Sequence, residues 1–303
     1  MSNPHTVSDP NTVVNSSPRP QFGARLAAAV ADRGPLCVGI DPHVSLLNDW
    51  NLPDTPQGLR DFSLRTLEAV AGRVAAVKPQ AAFFERHGSA GLAVLEEVIA
   101  AGREADTLVI VDAKRGDIGS TMGAYAEAFL REGSPLAGDA LTVSPYLGFG
   151  SLQPAVDLAL ATGRGLFALC LTSNPEGASV QHAVGQGGNW VSRQVADEAG
   201  NINRAVTGES GEMGPIGLVI GATVGSALAD SGIDLVADRS WVLAPGVGAQ
   251  GGDGETLRQV FGAARGQVLA SSSRGILSAG PDIAAIQKAA NHATIEATAA
   301  LNL

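Results

Sequence analysis

Four ionisable residues, Asp112, Lys114, Arg115 and Asp117, crowd the end of the apolar, β-branched run Val109-Ile110-Val111. If the strand persists through Lys114, its period of two puts Asp112 and Lys114 on one face, about 6.6 Å apart. Arg115 then points elsewhere. Gly116 lets the chain turn, so that Asp117 can bring a second carboxylate back toward the ammonium. One lysine held between two carboxylates is an arrangement for proton transfer or for a fixed electrostatic field. A charged strand end is also how a chain re-enters water, so the surrounding elements have to decide between the two.

Those elements repeat. Phe22 to Asp32 has helical apolar spacing at Phe22, Leu26 and Val30, and Gly34-Pro35 stops it. Short apolar runs then alternate with helical segments: 36–40, 74–79, 109–114, 140–144, 165–172, 216–222, 241–244 and 267–271, with helices expected over 58–71, 82–101, 120–131, 151–161, 224–228, 255–264 and 281–300. Runs that are apolar on both faces and separated by helices specify parallel strands covered all round. Eight of them in roughly 250 residues fit a (β/α)8 TIM barrel of parallel strands. An open doubly wound sheet is the alternative, because pattern alone does not show closure. The link from strand 5 to strand 6 is too long for an ordinary connection. Its stretch 176–214 reads as a decorated insert around one helix. Residues 1–19, rich in Ser, Asn, Pro and Thr, read as a flexible tail ahead of a single barrel domain over 20–303.

Barrel chemistry gathers where strands exit. The exits offer Asp41, Lys78, Asp112 with Lys114 and Asp117, Ser144, Thr172 with Ser173, Gln250 and Arg274, whereas the strand starts are mostly small residues. That asymmetry favours a site over chance solvation. Gly246-Val247-Gly248-Ala249-Gln250-Gly251 matches a dinucleotide fingerprint in spacing, but it follows the seventh strand and lacks the acid expected about 20 residues later. Loops after strands 7 and 8 are instead the recurrent barrel phosphate site, with glycines exposing backbone amides and an arginine forking onto the oxygens.

Composition narrows the partners. A net charge of −10 argues against a nucleic-acid or membrane-surface protein, so an anionic ligand must meet a local positive cluster. Cys37 and Cys170 sit in apolar runs without CxxC spacing, and His5, His43, His87, His182 and His292 form no ligand pattern. Neither a metal nor a disulfide framework is implied. No apolar stretch reaches membrane-span length and no signal pattern opens the chain, which points to the cytoplasm.

Taken in order, Gly39-Ile40-Asp41-Pro42-His43, Lys78-Pro79-Gln80-Ala81-Ala82-Phe83-Phe84-Glu85, Asp112 to Thr121, Ser144-Pro145-Tyr146-Leu147-Gly148, Thr172-Ser173-Asn174-Pro175 and Pro245 to Gly252 resemble the orotidine 5′-phosphate decarboxylase family in its longer bacterial form. The likeness runs from about residue 20 to residue 290. It implies a decarboxylation of orotidine 5′-phosphate to UMP, in pyrimidine nucleotide synthesis, that uses no cofactor and no metal. It also implies that Lys78, Asp112, Lys114 and Asp117 are the family's charged tetrad, with Lys114 protonating C6. Asp117, with Ile118 and Thr121 beside it, would serve the partner's site in a homodimer with shared active sites. Asp41 would hold the ribose, Ser173 the pyrimidine amide, and Gln250 with Arg274 the phosphate. Two other readings remain. A magnesium-dependent sugar-phosphate decarboxylase or aldolase shares the D-x-K-x-x-D strand end, although a metal site would want a carboxylate where Lys78 stands. A catalytically inert nucleotide-binding barrel is the other.

Overall fold

Successive residues of each strand enter two different apolar environments. In β1 (Leu36–Ile40), Leu36, Val38 and Ile40 pack outward with the surrounding helices, while Cys37 turns into a second cluster with Ala76, Ile110, Ala140, Phe167, Val219, Leu243 and Leu269. That inner cluster draws a side chain from every strand. The computed structural model, which describes residues 19–247 and 253–301, is accordingly a closed barrel of eight parallel strands in sequential order. After β1 come β2 (Ala76–Pro79), β3 (Leu108–Arg115), β4 (Ala140–Val143), β5 (Gly165–Leu171), β6 (Ile216–Ile220), β7 (Val242–Pro245) and β8 (Val268–Ser272). The open sheet is therefore excluded: β1 pairs with β8 as well as β2.

The helix Phe22–Arg33 plugs the amino-terminal mouth. Its Phe22 ring meets Phe167 edge-on at 5.8 Å, and the Trp241 indole donates to Gly23 O at 3.1 Å. Gly165 is required beneath this plug, since a Cβ there would lie 2.2 Å from the Phe22 ring. Charge also gathers at this end. Arg19 and Arg25 both reach Asp139 Oδ1, at 2.5 and 2.6 Å. Buried Arg164 pairs with Glu132 at 3.1 Å. The strand starts are thus less bland than the sequence suggested, because the loops below them carry an ion-pair cluster that seals the plug. Residues 1–18 of the expected tail lie outside the described residues, whereas Arg19 is held by Asp139.

Two helical expectations change. The segment 82–101 divides into helices Ala81–Glu85 and Gly88–Glu104, because Gly88 at φ 63° cannot continue a right-handed helix. The long link after β5 contains the helix Val191–Thr207, which packs on β5 and β6 as an ordinary barrel helix. The extra chain is therefore mainly the excursion before it, with the short helix Ala178–Gln181 and His182 stacked on Trp190 at 4.3 Å. Among the described residues no helix is long and apolar enough to cross a membrane.

Asn203 ties that helix to the barrel. Fully buried, it donates to Ile216 O at 2.8 Å and Ser240 Oγ at 2.9 Å, and accepts from Ile216 N at 2.9 Å. Replacing it by Ala strands several buried groups, each costing about 1–3 kcal/mol. Urea titration of Asn203→Ala should show a loss of about 2–4 kcal/mol, with turnover retained at low temperature.

Candidate active site

The inward positions of three adjacent strands change from apolar to polar one step above the inner cluster. Ala76, Ile110 and Ala140 are buried in that cluster. Two residues further along, the same faces present Lys78, Asp112 and Thr142, all buried. Lys78 Nζ donates to Asp112 Oδ2 at 2.8 Å, Lys114 Nζ to Oδ1 at 2.6 Å, and the Thr142 hydroxyl also to Oδ1 at 2.8 Å. The order is therefore lysine, aspartate, lysine: one carboxylate between two ammoniums. Thr142 escaped notice in an apolar run, although strand alternation from Ala140 places it inward.

Lys114 reaches this position by leaving the strand geometry, not by following it. Its φ is 49°, and the pairing of β3 with β4 slips between Val111 and Arg115. A β-bulge of this kind re-aims a side chain; holding a non-glycine residue in the left-handed region costs on the order of 1 kcal/mol or more. Thr142 Oγ1 also accepts from the Lys114 N–H at 2.9 Å, so one hydroxyl fixes both the carboxylate and the bulge. The Lys114 side chain stays 43% exposed, against 8% for Lys78 and Asp112, and opens toward the mouth of the barrel.

Burial opposes ionisation of Asp112, but Lys78 and Lys114 outweigh it and hold the carboxyl well below the usual range. Burial likewise opposes the Lys78 charge, yet Asp112 and then Asp41 overcome it and raise its pKa above that of a free lysine. Both groups stay charged across the physiological range. Cys37, below them in the barrel, is pushed up to about 12 by burial and remains a thiol.

Asp41, Lys78, Gly246, Ser271 and Arg274 line one cavity of about 130 Å³ at the exits of β1, β2, β7 and β8, with His43 at its edge. Gly39 leaves the room: a Cβ there would come within 2.7 Å of Ser273 Cβ and 3.1 Å of Asp41 Oδ2. The buried Asp41 Oδ1 has no hydrogen-bond partner among the described residues. Arg274 opens a short helix directly after β8, exposed at the rim. Gln250 lies outside the described residues. Ser173 lines a separate cavity of about 170 Å³ between the exits of β5 and β6. Asp117 does not join Lys114; its carboxylate accepts from the Ile118 N–H at 2.7 Å, and Ile118 and Thr121 are exposed. No group of three His, Cys, Asp or Glu side chains forms a candidate metal centre among the described residues.

A closed parallel barrel with an ionised lysine–aspartate–lysine line at the carboxyl ends of its strands is the architecture of a (β/α)8-barrel enzyme. The model of the orotidine 5′-phosphate decarboxylase / HUMPS family matches residues 34–289, and the chain belongs to that family. It is 53% identical over 280 residues to the orotidine 5′-phosphate decarboxylase of Salinispora arenicola, covering 92% of this chain and 98% of that one. With the Streptomyces coelicolor protein of the same name it shares 54% identity over 276 residues, covering 91% and 96%. A solved structure from Streptomyces avermitilis bearing the same enzyme name superposes with a TM-score of 0.90 at 52% identity, over 97% of this chain and all of that one. The OMP decarboxylase structure of Leishmania donovani does so at 0.71 with 31% identity, over 93% and 99%.

If Arg274 grips phosphate, Arg274→Ala should weaken UMP binding about 10- to 100-fold, as loss of a charge-assisted pair does, and leave uridine binding unchanged. Calorimetric titration of both ligands checks this, and equal losses would remove Arg274 from the role.

Proposed function

We propose that this chain decarboxylates orotidine 5′-phosphate to UMP, with Lys114 delivering the proton to C6. The buried Asp112 shared by two ammoniums is the observation that carries this reading. Cleavage of the C6–carboxylate bond leaves an electron pair on C6 with no ring position to spread it well, so the site must meet that charge electrostatically. Lys114 supplies a nearby cation and then transfers an N–H proton to C6. A substrate carboxylate facing Asp112 is also repelled, by about 4 kcal/mol for like charges 4 Å apart at an effective dielectric of 20. Contacts to ribose and phosphate, remote from C6, hold the ring against that repulsion. Asp41 fits the ribose role by its place in the cavity and by an oxygen without a partner among the described residues, and Arg274 fits the phosphate role by its place after β8. Gln250 is assigned to the phosphate with it, and Ser173 to the pyrimidine amide, both by family position alone. A magnesium-dependent reaction is less well supported, because the strand-2 exit presents an ammonium where a metal site needs an oxygen ligand.

A homodimer with shared sites completes the reading. Asp117, whose carboxylate accepts from the Ile118 N–H, stands beside exposed apolar side chains: Ile118 is 62% exposed, Tyr146 77% and Leu147 53%. The exits of β3 and β4 that carry this patch are bound together, since Ser144 N donates to Arg115 O at 2.8 Å. Such a patch favours a partner, and a partner's Asp117 would then approach the Lys114 of this chain with Ile118 and Thr121 beside the ligand. A cytoplasmic location suits a biosynthetic enzyme with two free, buried thiols.

Lys114→Ala should abolish loss of orotidine 5′-phosphate in a spectrophotometric assay while circular dichroism stays native; near-normal turnover would sink the assignment. Mixing inactive Lys114→Ala and Asp117→Asn proteins should restore part of the activity through one intact shared site. Verified subunit exchange without recovery would argue for a site within one chain.

A further inference from the structure

Lys114 is held in the left-handed region by more than Thr142. The next residue, Arg115, sends its guanidinium back under the strand exit, over the rings of Tyr125 and Phe129 at 5.5 and 5.3 Å. There its Nη1 donates to Ala113 O at 3.2 Å and its Nη2 pairs with Glu85. Glu85 closes the short helix that follows Lys78-Pro79-Gln80, and Gln80 Nε2 donates to Asp112 O at 3.1 Å. The pair therefore joins the exits of β2 and β3, the strands that carry Lys78 and Lys114. Neither partner lines the cavity that holds Asp41, Lys78 and Arg274.

We propose that Arg115, clamped by Glu85 and by the faces of Tyr125 and Phe129, is a positioning residue that fixes the backbone bulge at Lys114 and so places its ammonium against Asp112. Four contacts made by one planar guanidinium, two to oxygens and two to rings, leave the Arg115 backbone one orientation, and the strained residue before it inherits that constraint. A lysine keeps the charge but has neither the fork nor the stacking plane. This inference rests on Lys114 acting at C6.

The test compares Arg115→Lys, Glu85→Gln and the double variant with Lys114→Ala, all as full-length protein. It reads kcat, KM, UMP affinity and the thermal midpoint. Misplacing a reacting group by about 1 Å costs on the order of 100-fold in rate, so Arg115→Lys should lose kcat on that scale. KM and UMP affinity should stay within about threefold of wild type, since phosphate and ribose contacts are untouched. The double variant should be no slower than Arg115→Lys, because the two side chains act as one unit. Wild-type kcat in Arg115→Lys, or a kcat loss matched by equal losses of UMP affinity, would overturn the proposal. So would additive losses in the double variant. Should Arg115→Lys fail to fold, Glu85→Gln carries the test, and wild-type kcat there overturns it. An active Arg115→Lys beside a dead Lys114→Ala removes only the positioning role, whereas an active Lys114→Ala removes the reading of Lys114 itself.

Discussion

One buried carboxylate sets the terms for the rest of the molecule. Asp112 lies in the top inward layer of the barrel, where isolated charge is expensive, and it is stable there only because Lys78, Lys114 and Thr142 all donate to it. That requirement fixes three adjacent strands at once. It demands that β2, β3 and β4 bring the residues two steps beyond Ala76, Ile110 and Ala140 within hydrogen-bonding reach, in a register set by the pairings Val77 with Val109, Gln80 with Asp112 and Ile110 with Ala140. Without the carboxylate two ammoniums would face each other, one of them buried. Without either ammonium the carboxylate would be uncompensated.

The ends of the barrel divide the work accordingly. At the amino-terminal end, the Phe22 helix and the ion pairs of Arg19, Arg25, Arg164, Asp139 and Glu132 close the barrel and stiffen its base. At the carboxyl end, the β2–β4 side carries fixed charge and the β1, β7 and β8 side leaves a cavity edged by Arg274. Charge at both ends shows why a count of polar strand ends is a weak guide to function. The lower cluster pairs Asp139 with Arg19 and Arg25, whereas in the upper one the Lys114 side chain stays open to the mouth.

Periodicity made the barrel readable because strands buried on both faces and helices buried on one leave different patterns. It failed where the backbone departs from regular geometry. The helix over 82–101 breaks at a glycine whose positive φ no spacing rule reveals, and the link after β5 looked foreign because an ordinary barrel helix is set back behind an excursion. Thr142 was hidden for a different reason. A hydroxyl in an apolar run carries no signal until the neighbouring strand shows what it faces.

The sequence by itself determined the alternation of buried parallel strands with helices, the family, and the placing of Lys78, Asp112 and Lys114 at strand exits, because hydrophobic period and residue type are local properties written in order along the chain. Only the tertiary structure decided how those residues meet. Alternation would set Asp112 and Lys114 side by side on a flat strand; the bulge at Lys114, braced by Thr142 from one side and Arg115 from the other, folds the ammonium back onto the carboxylate instead. Asp117 makes no ion pair with that lysine among the described residues; its carboxylate accepts from the Ile118 N–H instead. Contacts between strands 28 and 30 residues apart, such as Thr142 with Lys114 and with Asp112, choose among local geometries that the chain on its own leaves equally open.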